Sequence, residues 1–98
     1  MGLTIRYSLR ARNEEIELLE YVLQKFGQKK VKEVYVSIEK TLEQLSNAPE
    51  IYRESNKRKG LRKCSFSKQT SIYYRIKEEH VEIVSFRPNS KDPKKFKI

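Results

Sequence analysis

Residues 61–86 read LRKCSFSKQTSIYYRIKEEHVEIVSF, and three runs within them decide the fold: Leu61–Phe66, Thr70–Ile76 and Val81–Phe86. Each run is rich in β-branched or aromatic side chains, and Ser67-Lys68-Gln69 and Lys77-Glu78-Glu79-His80 separate them. Two consecutive hairpins make an antiparallel meander. Pairing Ile76 with Val81 sets Tyr74 opposite Ile83 and Ile72 opposite Ser85 on one surface, and Arg75 opposite Glu82 on the other. In that register Arg62 lies near Tyr74 while Arg87 lies opposite Thr70, about four residues or ~13 Å along the sheet. One compact site holding both arginines is strained.

Upstream of the meander the pattern changes period. Thr4–Leu9 alternates, with Ile5, Tyr7 and Leu9 on one side and Arg6 and Ser8 on the other, which predicts a first strand. Asn13 is a good N-cap, and Glu14, Glu15 and Glu17 bring negative charge to a first helical turn. Ile16, Leu19, Leu23 and Phe26 then recur at helical spacing up to Gly27, a glycine C-cap. A second series, Val31, Tyr35, Ile38, Leu42 and Leu45, predicts a longer helix that Asn47-Ala48-Pro49 stops. The short connection at Gly27 implies an antiparallel helical hairpin. The order is therefore β-α-α-β-β-β, an α+β fold with the hairpin on one face of a small, mainly antiparallel sheet.

The chain has 98 residues and a net charge of +9, enough for one domain with one small core. A single domain spanning 1–98 is expected, with a basic tail over about 87–98 that carries two prolines, Pro88 and Pro93, and no periodicity. No apolar run approaches the ~20 residues of a membrane helix. The N-terminus lacks the apolar segment of a secretory signal, and Cys64 is the single cysteine, so the reading is a reducing cytoplasm and no membrane partner. The lone cysteine, without a His/Cys/Asp cluster, offers no metal site, and no cofactor is expected.

The charge is segregated. Residues 1–52 carry basic and acidic side chains in equal number, so the whole excess lies in residues 53–98, where the acids are Glu54, Glu78, Glu79, Glu82 and Asp92. A positive field concentrated on one half attracts a polyanion such as nucleic acid or the ribosome, or an acidic protein. Solubility alone is the bland alternative.

Several segments resemble the RelE/ParE superfamily, the toxins of bacterial type II toxin–antitoxin modules. The likeness runs through Tyr21 and Phe26-Gly27, Leu42 and Leu45 leading to Asn47-Ala48-Pro49, Leu61-Arg62, Ile72-Tyr73-Tyr74-Arg75-Ile76, Val81-Glu82-Ile83-Val84 and Asp92-Pro93-Lys94-Lys95. It implies a growth-arresting toxin held inactive by a cognate antitoxin, and the charge split predicts that this antitoxin is acidic and partly disordered when free. RelE-like members cut messenger RNA on the ribosome, whereas ParE-like members poison DNA gyrase without a nuclease site. Many relatives carry an arginine shortly before the Asx-Pro of the tail, where this chain has Ser90-Lys91, with Arg87 and Lys91 the nearest cations.

RNA cleavage by 2′-hydroxyl attack needs a base, cations for the developing charge and a proton source, but no metal. Under that reading the catalytic candidates are Arg62 and Arg87, which match the superfamily's basic strand positions, with Lys57 and Lys59 in the loop where RelE-like enzymes carry functional lysines. Crowding Lys57, Arg58 and Lys59 disfavours each charged form, so a lysine there is a possible base. Arg58, Lys63, Lys91, Lys94 and Lys95 are the candidate nucleic-acid contacts. A salt bridge is the structural alternative for Arg62, and a solvated turn for the loop. His80 sits at the turn end of the meander, remote from Arg87, and relatives with a terminal acid place it where this chain has Phe96. Tyr73 and Tyr74 can stack on bases or pack in the sheet; Cys64 reads as packing. The readings are an RNA-cleaving toxin, preferred on charge, a gyrase-poisoning toxin, and a non-toxic nucleic-acid-binding module.

Overall fold

A computed structural model describes residues 2–55, 58–67 and 70–88. The elements are β1 (Thr4–Tyr7), α1 (Leu9–Phe26), α2 (Gln28–Asn47), a 3-10 turn (Pro49–Ile51), β2 (Arg62–Ser65), β3 (Thr70–Ile76) and β4 (His80–Pro88). The predicted β-α-α-β-β-β order and α+β architecture hold. The strands form one mixed sheet in the order β1-β4-β3-β2, with β1 parallel to β4 and the other pairs antiparallel.

The first helix begins four residues before the expected N-cap. Ser8 caps it, because its Oγ accepts the Ala11 amide at 3.0 Å and donates to the Val84 carbonyl at 2.8 Å, satisfying a helix-end donor and fixing α1 to β4. Leu9 is therefore helical, and Asn13 lies inside the first turns. Gly27 closes α1 at φ +88°, a conformation that glycine adopts without a Cβ penalty, and α2 begins at the next residue.

Helix α1 buries a different stripe from the one its sequence favours. Ala11, Glu14, Glu15, Leu18 and Val22 face the sheet, whereas Ile16, Leu23 and Phe26 stay exposed and Leu19 is half-buried. In α2 the expected Ile38, Leu42 and Leu45 are buried, but Tyr35 is exposed and Val34 packs on the core in its place. These side chains meet Cys64, Ile72, Tyr74, Val81, Ile83 and Phe86 from the sheet in one core. The Tyr74 hydroxyl, fully buried, donates to the Pro49 carbonyl at 2.7 Å. Burial pushes its pKa up to about 12, and the Arg62 charge opposes the rise.

The meander keeps its predicted register through Ile76–Val81, Arg75–Glu82 and Tyr74–Ile83, and then a β-bulge intervenes. Beyond it Tyr73 pairs with Ser85, Ile72 with Phe86 and Ser71 with Arg87, which corrects the expected pairing of Ile72 with Ser85 and of Arg87 with Thr70. An unbroken register would have aimed a serine into the core and a phenylalanine outward. The extra residue reverses this, and Phe86 becomes fully buried, a gain of about 2–3 kcal/mol over exposure. Strand β4 also continues to Pro88, so Arg87 belongs to the sheet and not to the tail.

Candidate functional site

The bulge also sets which cations share a face. Arg62 pairs with the buried Tyr74 and so lies on the core side of β2, where its Nη1 donates to the Tyr52 carbonyl at 2.6 Å. Lys63 pairs with Tyr73, and Arg87 with Ser71, on the opposite face, which the start of α1 reaches through Glu14 at Ser85. The two arginines expected to work together therefore lie on opposite faces. Their rows are three residues apart along β3, about 10 Å.

On that face a groove of about 480 Å³ opens between Arg10, Ser55, Arg58, Leu61, Tyr73, Val84, Ser85 and Arg87. Three guanidiniums from distant parts of the chain line it. Strand β4 carries Arg87 past the end of β1, the first turn of α1 supplies Arg10, and the turn at 58–61 before β2 supplies Arg58. That loop is shaped by its backbone: the Leu61 amide donates to the Arg58 carbonyl at 3.1 Å, Gly60 takes φ +83°, and the Gly60 amide donates to Glu54 Oε2 at 2.8 Å. Lys59 is exposed within this turn.

A buried carboxylate organises the groove wall. Glu14 Oε1 accepts from Ser85 Oγ at 2.8 Å and from the Phe86 amide at 3.1 Å, and Glu14 Oε2 faces Arg10 Nε at 3.2 Å. Arg87 Nε in turn donates to Ser85 Oγ at 3.0 Å. Strand β1 pairs with β4 only as far as Ile83, so the Phe86 amide has no strand to bond, and Glu14 fills that role from the helix. The result is a continuous chain, Arg10–Glu14–Ser85–Arg87, that joins α1 to the bulged half of β4.

Ion pairing among the described residues is confined to the helices. Among the described residues the ion pairs are Arg10–Glu14 and Lys30–Glu33, both within helices. No described cation of the strand half has a described carboxylate within 4 Å. His80 opens β4 beside Thr4, seven residues from Arg87, or about 23 Å along the strand. Cys64 is buried, and desolvation raises its thiol pKa. Lys57, Lys91, Lys94 and Lys95 lie outside the described residues. Among the described residues no group of His, Cys, Asp and Glu could hold a metal ion, and no helix is long and apolar enough to cross a membrane.

Arg10, Glu14 and Ser85 were not singled out by sequence reasoning. Placing the cap at Ser8 would have exposed the signal: Arg10 and Glu14 then stand four apart on a first turn, and Ala11, Glu14, Leu18 and Val22 form a stripe with a carboxylate set among apolar groups.

The model of the ParE toxin of type II toxin–antitoxin systems, parDE, matches residues 5–93. The chain belongs to this family. The ParE assignment fits the fold, since the chromosomal ParDE toxin–antitoxin system of P. aeruginosa superposes with a TM-score of 0.78 at 12% identity, covering 91% of this chain and 98% of that one. A conserved hypothetical protein of Helicobacter pylori, known from a solution structure, aligns with a TM-score of 0.56 at 15% identity over 89% and 94% of the two chains. No curated protein matches. As a ParE-family toxin the chain has an antitoxin as its partner.

Proposed function

We propose that this toxin arrests growth by binding and poisoning DNA gyrase, in the manner the ParE resemblance implies, and that the Arg10–Arg58–Arg87 groove is its working surface. The observation that carries the reading is the composition of the groove. A guanidinium keeps its proton throughout the physiological range, so three arginines can neutralise and orient an anion but cannot relay a proton. Transfer of a 2′-hydroxyl proton needs a group that gives and takes one within hydrogen-bond reach. Among the described residues the one histidine stands at the far end of β4, Arg62 is committed to a backbone carbonyl on the other face, and Lys59 is exposed and does not line the groove. The match to the ParE model over residues 5–93 supports the same choice. This reading reverses the preference for RNA cleavage that net charge alone produced, because charge reports attraction to an anion and not the chemistry performed on it.

In this account the toxin works in the cytoplasm, and its antitoxin is acidic and covers the groove, ordering as it binds. Pulse-labelling after induction of the toxin alone tests the target. Early loss of DNA synthesis, with translation continuing, is the expected result. Early loss of translation with messenger RNA cut on ribosomes would return the chain to the RelE-like reading.

A further inference from the structure

The fold separates the roles of two adjacent tyrosines. Tyr74 is buried and bonded to the Pro49 carbonyl, whereas Tyr73 is half-buried and lines the arginine groove. Among the described residues no hydrogen bond or ring contact engages Tyr73. The Arg58 guanidinium likewise makes no hydrogen bond or ion pair there, and Arg87 uses only Nε, on Ser85 Oγ, which leaves both Nη atoms to a ligand. Cations continue along the same face. The rows of β3 on either side of Tyr73 hold Arg87, opposite Ser71, and Arg75, each about 7 Å from the tyrosine row. That step is close to the distance between neighbouring phosphates of a nucleic-acid backbone. Arg75 Nε is buried without a hydrogen-bond partner among the described residues, although Glu82 lies opposite it in the ladder.

We propose that the groove takes a single strand of DNA, with one base stacked on Tyr73 and the flanking phosphates held by Arg58 and Arg87. The inference rests on the gyrase reading, since gyrase acts on DNA and so supplies the anion. Tyr73 can meet only a base that is out of the stack, which selects a single strand over a duplex. An acidic peptide would satisfy the guanidiniums but leave the tyrosine ring without a planar partner. It would also find no strand to extend. Strand β3 is interior to the sheet, and the edge of β4 beyond β1 is closed by Ser8 at the Val84 carbonyl and by Glu14 at the Phe86 amide.

Fluorescence anisotropy of the full-length protein with a labelled thymidine oligomer of about eight nucleotides, at about 50 mM NaCl, reads the binding without gyrase. The expected result is saturable binding that Y73L and R87A each weaken at least tenfold, that Y73F restores by keeping the ring, and that K40A, exposed on α2, leaves unchanged. Arg87 is exposed, so R87A carries the test even where Y73L lowers the melting point. Log affinity against log salt should fall with a slope of about −1.4 for two phosphates, and R87A should bring it to about −0.7. Absence of saturable binding overturns the proposal. So does equal binding of the oligomer paired with its complement, or a uridine oligomer bound at least tenfold tighter, which gives the groove to RNA. Displacement by an oligoglutamate of equal charge at equal concentration overturns it by giving the groove to an acidic protein. A gyrase cleavage assay alongside keeps the two readings apart. Y73L that loses the strand yet still produces gyrase-dependent DNA breaks overturns this inference alone, whereas a parent protein that binds the strand and produces no breaks overturns the gyrase reading alone.

Discussion

Glu14 accepts from the Ser85 hydroxyl and the Phe86 amide and faces Arg10, all from a nearly buried position. Replacing it with alanine leaves a buried amide and hydroxyl unpaired, so Glu14→Ala should lose about 2–3 kcal/mol in urea unfolding. Glu14→Gln retains one acceptor and should lie between. Its neighbour Glu15 behaves differently. Burial raises the Glu15 pKa, while the hydrogen bond from Tyr7 (Oη to Oε2, 3.1 Å) and the Arg12 charge oppose the rise. A folded pKa above the unfolded one means that this group's contribution is full below the unfolded value and lost as pH rises through the folded value. Glu15→Gln, which keeps an acceptor for Tyr7, should therefore be at least as stable as the parent at pH 7. Its advantage should vanish as pH falls towards about 4, when the parent carboxyl is protonated; paired thermal melts across that range measure the difference. Tyr7, buried against the same carboxylate, is raised by its desolvation and by the Glu15 charge. Such residues are hard to read from a sequence, since a glutamate early in a helix reads as a solvated first-turn charge until its partner, here Ser85, is known.

At the level of elements, the meander was legible because strand periodicity, turn residues and cross-strand pairing agree from Ile76 to Ile83. Beyond Ile83 the bulge breaks them. Nothing local around Val84 announces an extra residue; the cause is tertiary, since Ser8 holds the Val84 carbonyl and Glu14 holds the Phe86 amide. The α1 boundary failed for a related reason, because Ser8 reads equally as the outward residue of a strand and as a helix cap. The exposed apolar stripe of α1 was the stronger periodic signal, and the sheet took the weaker one because Glu14 and Glu15 find partners there. Arg62 shows how element geometry reassigns a side chain. Its hydrogen bond to Tyr52 ties the connection after α2 to β2, so Arg62→Ala should cost about 1–2 kcal/mol of stability. Toxicity should fall only in proportion to folded protein, which soluble yield and growth arrest measured side by side would show. Full folding with abolished arrest would make Arg62 part of the working surface.

For the whole molecule, a neutral helical layer carries a positive sheet face. Attraction between that face and an acidic antitoxin is screened by salt, so toxin–antitoxin affinity should drop at least tenfold between 50 and 500 mM NaCl in a calorimetric titration. The charge split is legible in the amino-acid sequence, but the site is not, because Arg10, Arg58 and Arg87 stand far apart in the chain and meet only through the bulge, the Ser8 cap and the Gly60 turn. The central claim is that these three guanidiniums form a surface that binds and performs no cleavage. Incubating purified gyrase and supercoiled DNA with the toxin, beside a ribosome-bound messenger RNA in a parallel reaction, tests it most directly. The account predicts gyrase-dependent DNA breaks that an R58A/R87A double variant loses while remaining folded, and intact RNA. Cut messenger RNA with gyrase unaffected would contradict it.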